Sequence, residues 1–235
     1  MRILVTRPLE DGAATAQRLS DAGHQVVLVP ATMIAATGHP LPEGTFDAVI
    51  VTSGNAIRHL DIAAAQRLHA VPLYCVGEKT ASVAQQAGFT AITRGDGDGR
   101  ALVERLSARF SPPAKLLYLT GTPRKPHVEA ALHALGFEPS VVELYESRAV
   151  AGWPGDHRHA VEGTMMAMHF SRASVEALLH AAERAGLTAH LAAIPHLCLS
   201  ADVAAPLHAS GFQRIDVAAK PTEDAMLALL SSKKA

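Results

Sequence analysis

Short β-rich runs alternate with Ala- and Leu-rich segments of helical periodicity along the whole chain, and this alternation is what most limits the folds open to it. "ILVT" is followed by "GAATAQRLSDAG", whose apolar positions recur at helical spacing and stop at Gly23, a natural C-cap, before "QVVLVP" starts a second strand. The same order recurs in "AVIVTS" and "NAIRHLDIAAAQRL", in "PLYCVG" and "KTASVAQQAG", in "KLLYLTG" and "HVEAALHALG", and in "MMAMHFS" and "ASVEALLHAAERAG". Strand alternating with helix predicts parallel sheets covered on both faces, hence an α/β protein.

The pattern holds about ten strands, twice the five of a flavodoxin-like unit, and a length of 235 residues suits two domains. A weak internal repeat supports the doubling. The stretch from "VIVTSGNAIRHL" to "GFTAI" resembles that from "MAMHFSRASVEALL" to "GFQRIDV", with Cys75 on Cys198 and Gly88-Phe89 on Gly211-Phe212. "VTRPLEDGAATAQRLSDAG" likewise echoes "YLTGTPRKPHVEAALHALG". The first two strands supply the half that the C-terminal third lacks, so a discontinuous arrangement is expected. Residues 1–33 plus 150–235 would form one flavodoxin-like doubly wound parallel-sheet domain, and residues 34–149 the other. The turn-rich crossings "ATMIAATGHPLPEG" and "ESRAVAGWPG" carry enough apolar residues to pair as a two-stranded β-ladder. A bilobed body with two connections invites a ligand into the cleft between its lobes.

Hydrophobic residues make up 49% and charged residues 18%, which allows real cores and sets the chain apart from disordered ones. A formal net charge of -1 argues against a protein that grips nucleic acid mainly through phosphate contacts. "MRILVTRP" reads as a strand and not as a secretory leader, and no apolar run reaches the roughly 18 residues of a membrane span. A cytoplasmic protein with no membrane partner is expected, with monomer as the default state. Cys75 and Cys198 lie far apart in apolar runs and share no metal spacing, which fits two buried reduced thiols.

The chemistry-bearing candidates cluster where strands feed helices: Thr6 to Pro8, Thr52 to Ala56, Gly77 to Ala81, Thr120 to Arg124, Ser171 to Ser174, Ser200 to Ala204 and Lys220 to Asp224. Any one of them can be a helix cap and no more. Together, on matching edges of two sheets, they would present N–H donors, hydroxyls and a few cations to a ligand rich in carboxylates or phosphates. Nucleotide and hydrolase signatures are absent: no G-x-G-x-x-G after a strand, no G-x-x-x-x-G-K-[ST] and no G-x-S-x-G. "GDGDGR" hints at a calcium loop, but the twelfth position from Asp96 is Ser107 and not a bidentate Glu, so a loop with a helix cap is the simpler account. His157 and His159 in "DHRHA" read as exposed loop histidines sooner than as metal ligands, and His69 and His180 as residues on solvated helix faces. Tyr145, one of only 3 tyrosines, ends "VVELYES" beside the second crossing. Its phenol could donate a proton to a leaving group, or its ring could pack at a hinge.

In order and motif the chain resembles the uroporphyrinogen-III synthase family over nearly its whole length, through "ILVTRP", "VVLVP", "FDAVIVTSGNAI", "YCVGEKTASVAQQAGF", "LLYLTG", "LGFEPSVVELYES", "MHFSRASVEALL" and "AAKPTEDAMLALL". The resemblance implies two flavodoxin-like lobes joined by a two-stranded ladder, and no cofactor or metal. It implies a substrate, linear hydroxymethylbilane, which loses its terminal hydroxyl as water and closes with ring D inverted through a spiro intermediate. It implies Tyr145 as the acid, and substrate contacts at Arg7, Ser53, Gly54, Asn55, Ala56, Gly77, Lys79, Thr80, Gly121, Arg124, Ser171, Ser174 and Thr222, largely through main-chain amides. A transient contact with the enzyme that makes the substrate is compatible with it. Two departures stand out. Thr120-Gly121 replaces an Arg-Gly pair, which leaves Arg124 as the nearest cation, and Ser200 replaces a glycine. The competing reading is a non-catalytic bilobed module that binds or senses a tetrapyrrole or another polyanion.

Overall fold

The computed structural model describes residues 1–95, 99–124, 126–150, 153 and 155–232. The centre of the "GDGDGR" segment, residues 96–98, lies outside them. The chain begins with β1 (Arg2–Val5), α1 (Leu9–Asp21), β2 (Gln25–Leu28) and β3 (Thr32–Ala36). It continues through β4 (Ala48–Val51), α2 (Gly54–Arg58), α3 (Ile62–Leu68), β5 (Leu73–Cys75), α4 (Glu78–Gln86), β6 (Ile92–Arg94), α5 (Gly99–Ser107), β7 (Leu116–Thr122), α6 (His127–Ala134) and β8 (Ser140–Ala149). It closes with α7 (Gly155–Glu162), β9 (Met166–His169), α8 (Arg172–Ala185), α9 (Thr188–Ala193), β10 (His196–Cys198), α10 (Ala201–Ala209), β11 (Ile215–Val217) and α11 (Glu223–Ser232). By contacts the chain divides into two compact units: Met1–Met33 with Arg148–Ala235, and Ile34–Ser147.

Within the first unit the strands lie in the order β11-β10-β9-β1-β2, all parallel. The second unit orders its strands β6-β5-β4-β7-β8, also parallel, and β3 adds at the β8 edge. Pairing of β3 with β8 is antiparallel. The Val150 N–H donates to the Ala31 carbonyl at 2.9 Å, and the Thr37 N–H to the Leu144 carbonyl at 3.1 Å. Counted from its own first strand, the first sheet reads 2-1-3-4-5 and the second 3-2-1-4-5. The difference is one of chain entry alone. Setting β9, β10, β11, β1 and β2 on β4, β5, β6, β7 and β8 makes the two orders identical, and these are the pairs the sequence repeat proposes.

Central strands read as unbroken apolar runs because both of their faces are covered. Along β4, Ala48 and Ile50 face Leu102, Leu106, Val128 and Leu132 of α5 and α6, whereas Val49 and Val51 face Ala56, Leu68 and Ala84 of α2, α3 and α4. This is the period of two that a strand imposes on its side chains. In the first sheet Ile3 and Val5 of β1 pack with Leu19 of α1 and with Met226 and Leu230 of α11. Leu4 packs on the other face with Val175, Leu178 and Val203 of α8 and α10. Both cysteines are buried and reduced.

Two sequence expectations about histidines change. His69 is no solvated helix residue. It caps the C-terminus of α3, with its ring edge-on to Phe89 at 5.6 Å and in the space a side chain at Gly88 would need. His157 and His159 belong to helix α7 and not to a loop, and His159 Nδ1 lies 3.2 Å from Glu162.

Candidate functional site

In a doubly wound sheet, ligands bind outside the carboxyl ends of the strands, where neighbouring crossovers leave in opposite directions. In the second unit that point lies between β4 and β7. Hydroxyls meet across it: Thr52 Oγ1 lies 3.2 Å from the Tyr118 hydroxyl. Ser53 is the extended N-cap of α2, and its hydroxyl accepts the Asn55 N–H at 3.3 Å. Gly54 lets this turn approach α4, because a Cβ there would come within 3.1 Å of Val83 Cγ2. Asn55 Oδ1 accepts from Arg58 at 2.7 Å, while the Asn55 carbonyl accepts from His59 Nδ1 at 2.9 Å. Ala56 is fully buried and anchors the helix to the core.

A β-bulge sets the face to which Tyr145 points at this edge. Strands β7 and β8 pair in step as far as Thr120 opposite Glu143, but the next pair is Gly121 opposite Tyr145, so Leu144 is one residue too many on β8. Strict alternation would send Leu144 and Tyr145 to opposite faces. Instead Val142, Leu144 and Tyr145 all pack on the core beneath α2, α3 and α4. Bulges re-aim side chains in this way. The phenol ring lies directly over Gly121, where any Cβ would overlap it, so this glycine is required by the close approach of a ring. The imidazole of His59 lies beside the ring, with centroids 5.9 Å apart and planes tilted by 34°.

The arginines expected to face a ligand are held by carboxylates of their own unit. Arg124 Nε and Nη2 form a two-pronged pair with Glu129 at 2.6 and 3.2 Å, and Nη1 donates to Glu143. These contacts raise the guanidinium pKa above its ordinary value, Glu129 contributing most, and hold the Glu143 carboxyl below its own, chiefly through Arg124. Arg7 donates to Thr15 Oγ1 at 3.0 Å and Glu223 Oε2 at 3.1 Å, and its guanidinium sits 4.4 Å from the centre of the Phe170 ring.

The same edge of the first unit repeats the capping scheme. Ser171 accepts the Ser174 N–H at 3.2 Å and donates to Ser174 Oγ at 2.8 Å, and Ser174, nearly buried, touches Thr32 Oγ1 at 3.1 Å. Ser200 caps α10 by accepting the Val203 N–H at 3.4 Å, so the hydroxyl that stands in place of a glycine is used as a cap. Exposed Thr222 accepts the Ala225 N–H at 3.3 Å. At the head of α4, Gly77 is the N-cap with open space where a side chain would stand, Lys79 is exposed and Thr80 is buried. Ser53, Gly54, Asn55, Gly121 and Tyr145 thus come together at one switch point, while Ser171 and Ser174 belong to the other unit. Among the described residues no cluster of three or more His, Cys, Asp or Glu could hold a metal, and no helix is long and apolar enough to cross a membrane.

Sequence reasoning missed His59, although its place four residues after Asn55 in a helical run was the available signal. It also missed the contact of His169 with His196, which depends on strand register.

Residues 13–228 match the family model described as Uroporphyrinogen-III synthase HemD. None of the curated proteins compared with this chain matches it. Among solved structures, uroporphyrinogen-III synthetase from Helicobacter pylori 26695 superposes with a TM-score of 0.73 at 19% identity, covering 99% of this chain and 100% of that one. A mutant uroporphyrinogen III synthase from the extremely thermophilic bacterium Thermus thermophilus gives a TM-score of 0.58 at 17% identity, covering 100% of this chain and 98% of that one. At these identities the structural likeness speaks for the fold.

Proposed function

The chain belongs to the uroporphyrinogen-III synthase HemD family, and from that membership we propose that it closes linear hydroxymethylbilane to uroporphyrinogen III, with loss of water and inversion of ring D. The family match is the observation that carries this reading, and the order of strands supports it as two flavodoxin-like units permuted relative to each other.

Closure needs a proton on the departing hydroxyl. The Tyr145 phenol, turned by the bulge in β8 to the face of the sheet that α2, α3 and α4 cover, would deliver it, releasing water and leaving an azafulvene cation on the bilane. Ring D then attacks through its substituted carbon, the spiro intermediate reopens, and the final closure releases one proton, which restores the phenol. Proton uptake and release balance, so no cofactor is required. The substrate's carboxylates would be met by main-chain N–H groups and by a cap hydroxyl such as that of Ser53, with Arg7 and Arg124 holding local carboxylates. Fixing one fold of a floppy chain accounts for the choice of isomer.

A coupled assay tests this: hydroxymethylbilane is supplied to the purified chain and the isomers of the cyclised product are resolved. An excess of the inverted isomer over the spontaneous background is expected. Formation of the symmetric isomer alone would overturn the reading and leave a binding or sensing module.

A further inference from the structure

We propose that Thr37 and His39 are positioning residues for Tyr145, an inference that rests on the proposed cyclisation and names the segment that keeps its acid in place. Tyr145 points as it does because Leu144 is an extra residue on β8. Whatever fixes the peptide groups on either side of Leu144 therefore fixes the ring that follows. Thr37, the residue after β3, holds both of them. Its N–H donates to the Leu144 carbonyl at 3.1 Å, and its hydroxyl donates to the Glu143 carbonyl at 2.5 Å. In an unbroken strand successive carbonyls turn to opposite edges. Here both take donors from one residue at the β3 edge, in keeping with a ladder interrupted by a bulge.

His39 completes the clamp. Gly38, at φ +76°, turns the chain back so that His39 Nδ1 lies 3.0 Å from the same Glu143 carbonyl. A carbonyl can only accept, so Nδ1 donates. The His39 N–H in turn donates to Thr37 Oγ1 at 3.4 Å, and the threonine hydroxyl is used both as donor and as acceptor. Glu143 is held at its other end as well, where its carboxylate accepts from Arg124 Nη1. The residue before the bulge is thus fixed through backbone and side chain, and the bulge has one arrangement open to it. Neither Thr37 nor His39 meets the substrate in this scheme. They act through the backbone of β8 on the place of the Tyr145 ring, so their loss shows in turnover and not in substrate binding. The rival role is a purely structural one, the closing of the strand edge after β3.

Two substitutions of the full chain separate these roles. Thr37→Val keeps the shape and the N–H but removes the hydroxyl; Thr37→Ser keeps the hydroxyl. Thr37→Val is expected to lower kcat roughly 10- to 100-fold with KM unchanged, and Thr37→Ser to restore most of the turnover. In parallel, NMR of the chain labelled at its 3 tyrosines reads the ring directly, with the Tyr145 signal identified by its disappearance in Tyr145→Phe. That signal should move in Thr37→Val and return in Thr37→Ser, while those of Tyr74 and Tyr118 stay in place. An active wild-type enzyme whose Thr37→Val variant keeps full kcat and an unmoved Tyr145 signal would overturn the inference, and so would a displacement of all three signals, which marks a general loosening. Should Thr37→Val not fold, His39→Ala at its exposed position takes its place, with a displaced Tyr145 signal expected and an unmoved one overturning the inference. A wild-type chain that forms only the symmetric isomer, with Tyr145 alone displaced in Thr37→Val, would instead remove the proposed reaction and leave the clamp standing as what sets the ring.

Discussion

His169 Nε2 lies 2.9 Å from His196 Nδ1 in the core of the first unit, and the two rings stack at 5.1 Å, both fully buried. Their protons follow from one fixed partner. His196 Nε2 lies 2.8 Å from the Leu191 carbonyl and must donate to it, so His196 Nδ1 accepts from His169 Nε2, and His169 Nδ1 is left buried without a partner. Burial, and then the neighbouring imidazole, holds His169 well below the ordinary histidine pKa; burial lowers His196 against the opposing pull of Leu191.

The sign of the pH dependence follows. Above about pH 6.5 both rings are neutral in the folded and unfolded chain and contribute no slope. Below it the unfolded chain binds protons that the folded one refuses, so stability falls as pH falls, by up to about 1.4 kcal/mol per pH unit for each ring. Urea unfolding at pH 7.5, 6.5 and 5.5 checks this. His169→Phe should lose stability less steeply than wild type below pH 6.5, and parallel curves would refute the assignment.

Tyr145→Phe keeps the ring over Gly121 and removes only the hydroxyl. If the phenol is the acid, turnover should drop by about 100-fold or more while the unfolding midpoint barely moves. Equal turnover of the two proteins would assign Tyr145 to packing.

Gly121→Ala should cost stability as well as turnover. Its Cβ would overlap the Tyr145 ring, so either the ring or strand β7 must yield, at about 1–3 kcal/mol of stability. Thermal unfolding gives the cost. A variant as stable as wild type, with Tyr145 unmoved, would show that the bulge has more room than its geometry allows.

The parallel sheets were legible because alternation of strand and helix leaves few other architectures, and the repeat of "VTSGNAI" in "HFSRASV" was legible because both N-caps, Ser53 and Ser171, do the same work. What stayed hidden depends on register. "VVELYES" holds two apolar doublets, Val141-Val142 and Leu144-Tyr145, and a doublet suits a strand covered on both faces as well as a bulge, so it does not mark Leu144 as the extra residue that turns Tyr145 to the other face. Arg124 reads as an available cation because Glu143, 19 residues away, becomes its neighbour only once β7 and β8 pair. His169 and His196 likewise meet only across adjacent strands. Spacing along the chain reveals partners within a helix, as it would have for Asn55 and His59; it does not reveal partners across a sheet.

Arg124 gives the sharpest separation of binding from stability. Its guanidinium joins Glu129 of α6 to Glu143 of β8, so it links a helix to the strand that follows it. Arg124→Ala leaves two part-buried carboxylates facing each other, and hydrogen bonds to charged groups are worth about 1.5–3 kcal/mol. The variant is expected to unfold at lower urea, by an amount that shrinks as pH falls. The reason is that Arg124 holds Glu143 below the ordinary carboxylate pKa, so this part of the stability is present above about pH 4.5 and is lost as acid protonates the carboxylate through its lowered value. KM for hydroxymethylbilane should stay near that of wild type, because the guanidinium is already satisfied within its own unit. A large rise in KM with unchanged stability would mean that Arg124 leaves its glutamates to bind a substrate carboxylate.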